Sequence, residues 1–409
     1  MKKYFVISST EGCASNLAEN VSYRQFFTDN DGTLCSTADE AETIIINTCA
    51  YNKQMEDKSV DLISKFQNQF PGKSIIVTGC FPKINPSRSK PLLREEELSP
   101  LDFKSLSTRL KITPLKTFDA LSANFFDESD FTTLSSQHKI LFKLRQIILP
   151  LEKKLNCHFI PLHNILETAV VNSDYHVISI GRGCKGTCTF CGIKNVKGEI
   201  QSRPLEVILS EFNSAYANGK RHFWLIGDDV ASWGADKQMH IYDLLTKVLS
   251  IQSDIKIVIN SFHPQFFFNA PSPLINILSS PQIIGINIPI QSASKKVLQT
   301  MGRYYCPNAV LNIVKSLKTN SPSLAIKTNL IIAFPSEGWS DFLSTLKAVY
   351  NFDAILAQPF APRPNTKASQ LPLLSQRTVQ IRMLLISLAI FLRHSFVFIK
   401  SFIRTKRHE

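Results

Sequence analysis

Apolar residues near the N-terminus come in short, nearly unbroken runs rather than in alternation. Tyr4 to Ser8, Thr43 to Asn47 and Ser74 to Thr78 are such runs, and their β-branched content predicts strands buried on both faces of a parallel sheet. Asn16 to Phe27 and Lys58 to Gln67 between them carry helical spacing. Strand, helix, strand at this rhythm predicts βαβ units and a doubly wound sheet. From Phe81 to about Asp174 the pattern weakens: Lys90 to Leu115 reads as loop and linker. Ser136 to Lys154 then reads as a helix with Ile140, Leu141, Leu144, Ile147 and Ile148 as its apolar positions. Strand candidates return at Tyr175 to Ile180, Arg221 to Ile226, Ile255 to Asn260, Ile284 to Ile290, Leu324 to Ile332 and Ala354 to Gln358. Helical stretches separate them, the clearest being Pro204 to Asn218 with Leu205, Ile208, Phe212 and Tyr216 along one stripe and Gly219 at its end. Six βα repeats make an α/β partial barrel, (β/α)6, with its site at the carboxyl ends of the strands. The predicted division is an N-terminal sheet domain at 1–85, a linker with a helical insertion at 86–172, the barrel at 173–370 and an apolar, basic helical tail at 371–409.

Composition narrows the classes. The 409 residues are 44% hydrophobic and 19% charged, which excludes disorder and collagen-like architecture. A net charge of +13 favours an anionic partner, RNA above all, as an argument about encounter. Met1-Lys2-Lys3-Tyr4-Phe5-Val6-Ile7-Ser8 has too short an apolar run for a signal peptide. Nine cysteines in such a chain point to the reducing cytoplasm, where thiols serve as metal ligands or nucleophiles.

Each of the three N-terminal strands is followed by a cysteine in a turn: Gly12-Cys13-Ala14-Ser15-Asn16, Asn47-Thr48-Cys49-Ala50 and Gly79-Cys80-Phe81. The carboxyl ends of parallel strands share one sheet edge, so Cys13, Cys49 and Cys80 can converge. Three thiolates are what a [4Fe–4S] cluster takes when one iron is left open; the competing reading is three small buried hydrophobes. A second set follows the first barrel strand, Gly183-Cys184-Lys185-Gly186-Thr187-Cys188-Thr189-Phe190-Cys191. Its C-x3-C-x2-C spacing, with no further Cys or His close behind, argues against zinc and for a cubane whose open iron chelates S-adenosylmethionine (SAM). Polar turns at the strand ends would form the SAM wall: Gly227-Asp228-Asp229, Ser261-Phe262-His263-Pro264, Gln291-Ser292-Ala293-Ser294 and Ala333-Phe334-Pro335-Ser336-Glu337. From these, Phe190, Gly227, Asp228, Asp229, Gln291 and Ser292 are the candidate cofactor-binding residues. Cys35, Cys306 and the Cys157-His158 pair have no comparable setting and read as spare or structural.

From Lys3 to Gln370 the chain resembles the radical SAM methylthiotransferase family (MiaB/RimO-like). The matching residues are the two cysteine sets, Gly198 with Ser202-Arg203-Pro204, and Leu225 to Gly234. Pro289-Ile290-Gln291-Ser292, Met301-Gly302-Arg303-Tyr304 and Ala361-Pro362-Arg363-Pro364 also match. The resemblance implies two [4Fe–4S] clusters, an auxiliary one on Cys13, Cys49 and Cys80 and a radical one on Cys184, Cys188 and Cys191. It further implies two SAM molecules, one methylating a sulfur at the auxiliary cluster and one supplying the radical that opens a C–H bond to methylthio insertion. A tRNA adenosine is the substrate it implies first. The same chemistry on a protein, peptide or small molecule, and a non-catalytic iron–sulfur scaffold, are the alternatives. It also implies an electron donor such as flavodoxin or ferredoxin, and a monomer is expected. Departures from the family pattern are Asn329 in place of an aspartate, Lys197 in place of an arginine, and Ala333-Phe334-Pro335-Ser336 in place of a more glycine-rich turn. No TRAM β-barrel is legible after Pro364. Instead Met383 to Leu392 is an uncharged apolar run, followed by Lys400, Arg404, Lys406 and Arg407. It reads as a buried core helix, or as one touching a membrane surface or a partner.

Overall fold

The computed structural model describes residues 2–9, 13–94, 97–112, 174–269 and 273–405, with backbone alone at 269, 273 and 394–405. The expected helix at Ser136 to Lys154 and the Cys157-His158 pair lie outside them.

The N-terminal unit is a four-stranded parallel sheet built from β1 (Lys3–Ser8), β2 (Thr33–Leu34), β3 (Thr43–Thr48) and β4 (Ser74–Gly79), in the order β2-β1-β3-β4. Every residue of β3 is buried because both faces are covered. Ile44 and Ile46 pack with Ile63 and Phe66 of α2 (Lys53–Gln69). Ile45 points the other way, to Tyr23, Phe26 and Phe27 of α1 (Ala14–Asp29). That is the doubly wound sheet expected from the unbroken apolar runs. The region read as loop and linker after Lys90 holds a helix instead, α3 (Phe103–Leu110). The Asp102 side chain caps it, and Leu106 and Leu110 join the Tyr23 and Phe27 cluster. Eight residues with so few apolar positions give too brief a period to stand out; tertiary packing stabilises the helix.

The second unit is a six-stranded, all-parallel sheet. Its strands are β5 (Tyr175–Ser179), β8 (His222–Ile226), β9 (Lys256–Ile259), β10 (Ile283–Asn287), β11 (Ala325–Ile332) and β12 (Ala354–Pro359), in spatial order β12-β11-β10-β9-β8-β5. A two-residue hairpin, β6 (Gly181–Arg182) with β7 (Gln201–Ser202), brackets the cysteine loop. The outward residues of the strands pack on the surrounding helices in one continuous core. The concave face is closed differently. Ala14, Leu17 and Ala18 of α1 pack against Tyr175, Val177, Trp224, Ile226 and Val258, so the N-terminal unit is plugged into the mouth of the partial barrel.

The chain after β12 forms one 30-residue helix, α4 (Gln376–Thr405), seated on the barrel. Arg382 and Ile386 are buried, and Arg382 Nη1 binds Glu337 Oε2 at 2.7 Å and its carbonyl at 2.9 Å. Arg393 Nε donates to the Phe352 carbonyl at 3.1 Å. The core-helix reading therefore describes its inner face.

Candidate active site

The N-terminal cysteines sit where strand ends meet helix starts. Cys13 is the N-cap of α1, Cys49 follows β3, and Cys80 opens the short helix after β4. Their turns are locked together by a reciprocal amide pair. Asn16 Nδ2 donates to Asn47 Oδ1 at 2.9 Å and to the Thr48 carbonyl at 3.2 Å, while Asn47 Nδ2 donates to the Asn16 carbonyl at 2.9 Å. Gly79 has φ +93°, and a Cβ there would lie 2.3 Å from the Thr48 carbonyl and 2.4 Å from Asn47 Oδ1; only glycine admits the Asn47 amide so close. Burial, with Cys49 adding its charge, pushes the Cys13 thiol up to about 12, and Cys80 is raised well above its ordinary value for the same first reason.

The second set occupies the loop after β5. The loop is pinned from several sides: Gly183 N donates to Asp228 Oδ2 at 2.9 Å, Thr189 N to the Met301 carbonyl at 2.9 Å, and Thr189 Oγ1 to the Thr300 carbonyl at 2.7 Å. Gly302, at φ +73°, lets that approach happen, since a Cβ would stand 2.7 Å from the Thr187 carbonyl. A Cβ built on Gly186 falls 3.1 Å from Cys184 Sγ, 3.8 Å from Cys188 Sγ and 4.0 Å from His263 Nε2. Glycine at this position thus keeps clear the space that the thiols border. Three thiols with no fourth Cys or His close behind them in the chain are the donor set of a cubane, which binds each thiol to a different iron and leaves one iron open. Cys191 is pushed up to about 11 by burial first and then by Cys188, so metal loading must displace protons.

Cys184, Cys188 and Cys191 line a cavity of about 550 Å³ at the carboxyl ends of the barrel strands. Phe190, Asp228, Asp229 and Gln291 line it too. Gly227 and Ser292 do not. Gly227 is buried beneath, its Cβ direction facing the Gly181 carbonyl at 3.3 Å. The Ser292 hydroxyl turns outward to Thr345 Oγ1 at 3.2 Å. The two aspartates hold structure as well as lining the cavity. Asp228 accepts from Ser15 Oγ at 3.0 Å as well as from Gly183. Asp229 accepts from Ser232, from Ala231 N at 3.2 Å and from His263 N at 3.3 Å.

Residues beyond the six candidate cofactor binders stand here too. His263 Nδ1 accepts from Gln265 N at 3.2 Å, which leaves the proton on Nε2, 3.9 Å from Cys188 Sγ; burial, then the Arg303 charge, holds the ring neutral. Arg303 is buried, donates to the Pro289 carbonyl at 2.6 Å and lies 5.8 Å from the Phe190 ring. Arg303 Nε, Asn287 Oδ1 and Asn329 Oδ1 are buried polar atoms without a hydrogen-bond partner, and all three residues line the cavity. Within the cavity such atoms are open to a water, an ion or a polar ligand. Ser261, Gln291 and Ala333, just past β9, β10 and β11, have φ of +51°, +63° and +60°, strained backbone of the kind that gathers at functional rims.

The N-terminal unit supplies one wall through Ala50, Tyr51 and Asn52. Tyr51 is half exposed yet lies within electrostatic reach of Cys13, Cys191 and Cys49 together, and desolvation by the surrounding protein, then these thiols, raise its phenol above the ordinary value. Two buried ionic nodes hold the units at this distance. Lys197 Nζ is 3.1 Å from Glu19 Oε1 on α1 and 3.1 Å from Asp228 Oδ1. Arg363 Nη1 is 2.5 Å from Glu56 Oε1 on α2 and 3.1 Å from the Ala50 carbonyl. Cys184, Cys188 and Cys191 thus line the cavity themselves, whereas Cys13, Cys49 and Cys80 do not, and their unit reaches it through the Ala50-Tyr51-Asn52 turn that follows Cys49.

A family model described as Uncharacterized protein family UPF0004 matches residues 5–98, and the Radical SAM superfamily model matches 178–349. A protein of Methanothermobacter thermautotrophicus named "Probable threonylcarbamoyladenosine tRNA methylthiotransferase" is 25% identical over 92% of this chain and 82% of its own. The "tRNA-2-methylthio-N(6)-dimethylallyladenosine synthase" of Endomicrobium trichonymphae is 27% identical over 88% of this chain and 78% of its own. The chain belongs to the radical SAM methylthiotransferase family. It transfers a methylthio group and uses [4Fe–4S] clusters and SAM. The methylthiotransferase also shares its fold with the radical SAM methyltransferase TsrM of Kitasatospora setae, at TM-score 0.57 and 10% identity, over 90% of this chain and 77% of that one.

Proposed function

We propose that the chain inserts a methylthio group at an unactivated C–H bond of a tRNA adenosine, with Cys184, Cys188 and Cys191 holding the radical cluster and Cys13, Cys49 and Cys80 the auxiliary one. The observation that supports the reading is a cavity lined by the Cys184, Cys188 and Cys191 loop on one side and by the Ala50-Tyr51-Asn52 turn, which directly follows Cys49, on another. When bound, the clusters and SAM supply a 5′-deoxyadenosyl radical and a methylated sulfur. The chain's part is to orient. The Asp228 and Asp229 carboxylates hold the cysteine loop, and His263 offers its Nε2 proton toward Cys188. Asn287, Asn329 and Arg303 present unpaired polar atoms to the ligand, and the plugged barrel limits water. The relatives are named for adenosines bearing threonylcarbamoyl or dimethylallyl groups, so the adenosine acted on is of that N6-modified kind. The reaction takes place in the cytoplasm, with an electron donor of the flavodoxin or ferredoxin type.

Anaerobic reconstitution tests this. About eight irons per chain, release of 5′-deoxyadenosine, and methylthio-nucleosides in tRNA from producing cells are expected. Cys184→Ala should abolish SAM cleavage, whereas Cys49→Ala should spare cleavage and stop transfer. About four irons in the wild type, or equal loss of cleavage in both variants, would overturn the division of labour. Cleavage with unmodified tRNA would move the substrate to a protein, peptide or small molecule.

A further inference from the structure

The final helix α4 has two opposite faces. The inner one, with Arg382, Ile386 and Ala389, is buried on the barrel. The outer one exposes Ile381 (43%), Leu384 (70%), Leu385 (36%), Leu388 (52%), Phe391 (66%) and Leu392 (50%). Spacings of three and four place these six on one stripe. Single exposed leucines are ordinary, but a continuous apolar stripe marks a contact surface.

Charge identifies what the stripe contacts. From Gln376 to Glu409 the chain carries Arg377, Arg382, Arg393, Lys400, Arg404, Lys406 and Arg407 against a single acidic residue, Glu409. Arg382 and Arg393 are committed inward, to Glu337 and Asp353. Arg377, Lys400, Arg404, Lys406 and Arg407 have Glu409 alone in the segment to offset them. We propose that α4 docks the protein on an anionic lipid bilayer, lying in the headgroup region with its leucine stripe inward. No helix among the described residues is long and apolar enough to cross a membrane, so the contact is interfacial. The stripe's spacing would also suit a coiled coil, but two copies would bring together cations without the acidic flanking residues that pair such helices. An anionic surface supplies both needs: an apolar layer for the stripe and about 1 kcal/mol of attraction per nearby basic residue.

The test is flotation of the full purified chain with vesicles of phosphatidylcholine, with and without phosphatidylglycerol. Binding to the phosphatidylglycerol vesicles should exceed binding to the neutral ones by at least about tenfold and fall off with salt. Leu384→Glu/Leu388→Glu should lose it, while Leu343→Glu, exposed on another helix, should keep it. An unchanged far-ultraviolet dichroism spectrum and iron content would show that the double variant is folded. Equal binding to both vesicle types, binding retained by the folded double variant, or a dimer in sedimentation with no vesicle binding would each overturn the proposal. The last outcome would assign the stripe to a second copy of the chain.

Discussion

Lys197 shows how a single residue can depart from a family pattern and keep its place. Exchange of arginine for lysine forfeits a bidentate fork, yet Lys197 Nζ sits between two carboxylates, Glu19 and Asp228, each at 3.1 Å. A compact ammonium suits that bridge, and both partners come from positions no local pattern connects. Lys327 is a different case. Strand alternation puts it on the same face of β11 as Asn329 and Ile331, and burial pushes its ammonium from 10.5 down to about 8. Between those values the unfolded chain binds a proton that the folded one does not, so stability rises with pH there and the penalty is complete below pH 8. Lys327→Met should therefore raise the thermal midpoint at pH 7, for a stabilisation of up to roughly 3 kcal/mol. The gain over wild type should shrink between pH 8 and pH 10.5 in parallel melts. A gain independent of pH would show that the lysine remains charged in the fold.

At the scale of elements, α1 is the piece that sequence reads least completely. Its pattern mixes Asn16, Glu19, Asn20 and Ser22 among apolar residues, yet all of these are buried. An amphipathic surface helix would expose one side; α1 exposes only Thr28 and Asp29 at its end, because the sheet of its own unit covers one face and the barrel mouth the other. Leu17 lies in the barrel-mouth cluster with Tyr175, Val177, Trp224, Ile226 and Val258. Leu17→Ala should cost about 2–5 kcal/mol in denaturant unfolding. It should also separate the two half-reactions: 5′-deoxyadenosine release, which needs only the barrel loop, persists while methylthio transfer falls by about tenfold or more. Parallel loss of both would show that α1 does not set the spacing between the cysteine sets. The helix at Phe103–Leu110 was missed for the opposite reason, since its signal is too short to register until Tyr23 and Phe27 cover it.

Among the described residues the molecule joins two parallel sheets, and the lock between their units is ionic as well as apolar. Glu56 receives Arg363 from the barrel at 2.5 Å and Arg88 and Asn85 from its own unit at 3.2 and 3.1 Å. Glu56→Gln leaves the Arg363 guanidinium buried without its counter-charge, a change worth about 3–5 kcal/mol. Denaturant unfolding should turn from one transition into two as the units come apart, and a single, unshifted transition would place the lock elsewhere. The net charge of +13 favours a nucleic acid encounter without selecting a tRNA. The cysteine spacing, the βα rhythm and the six-strand count were determined by sequence alone, because each is a local pattern of residue types at fixed separations. Tertiary structure alone decided that the turn after Cys49 walls the cavity that Cys191 lines, and that Ser292 and Gly227 turn away from that cavity. It also decided that His263 and Arg303 face Cys188 and that the last helix leaves one leucine face bare. These depend on pairings across tens to hundreds of residues, which docking two units creates and no periodicity along the chain records.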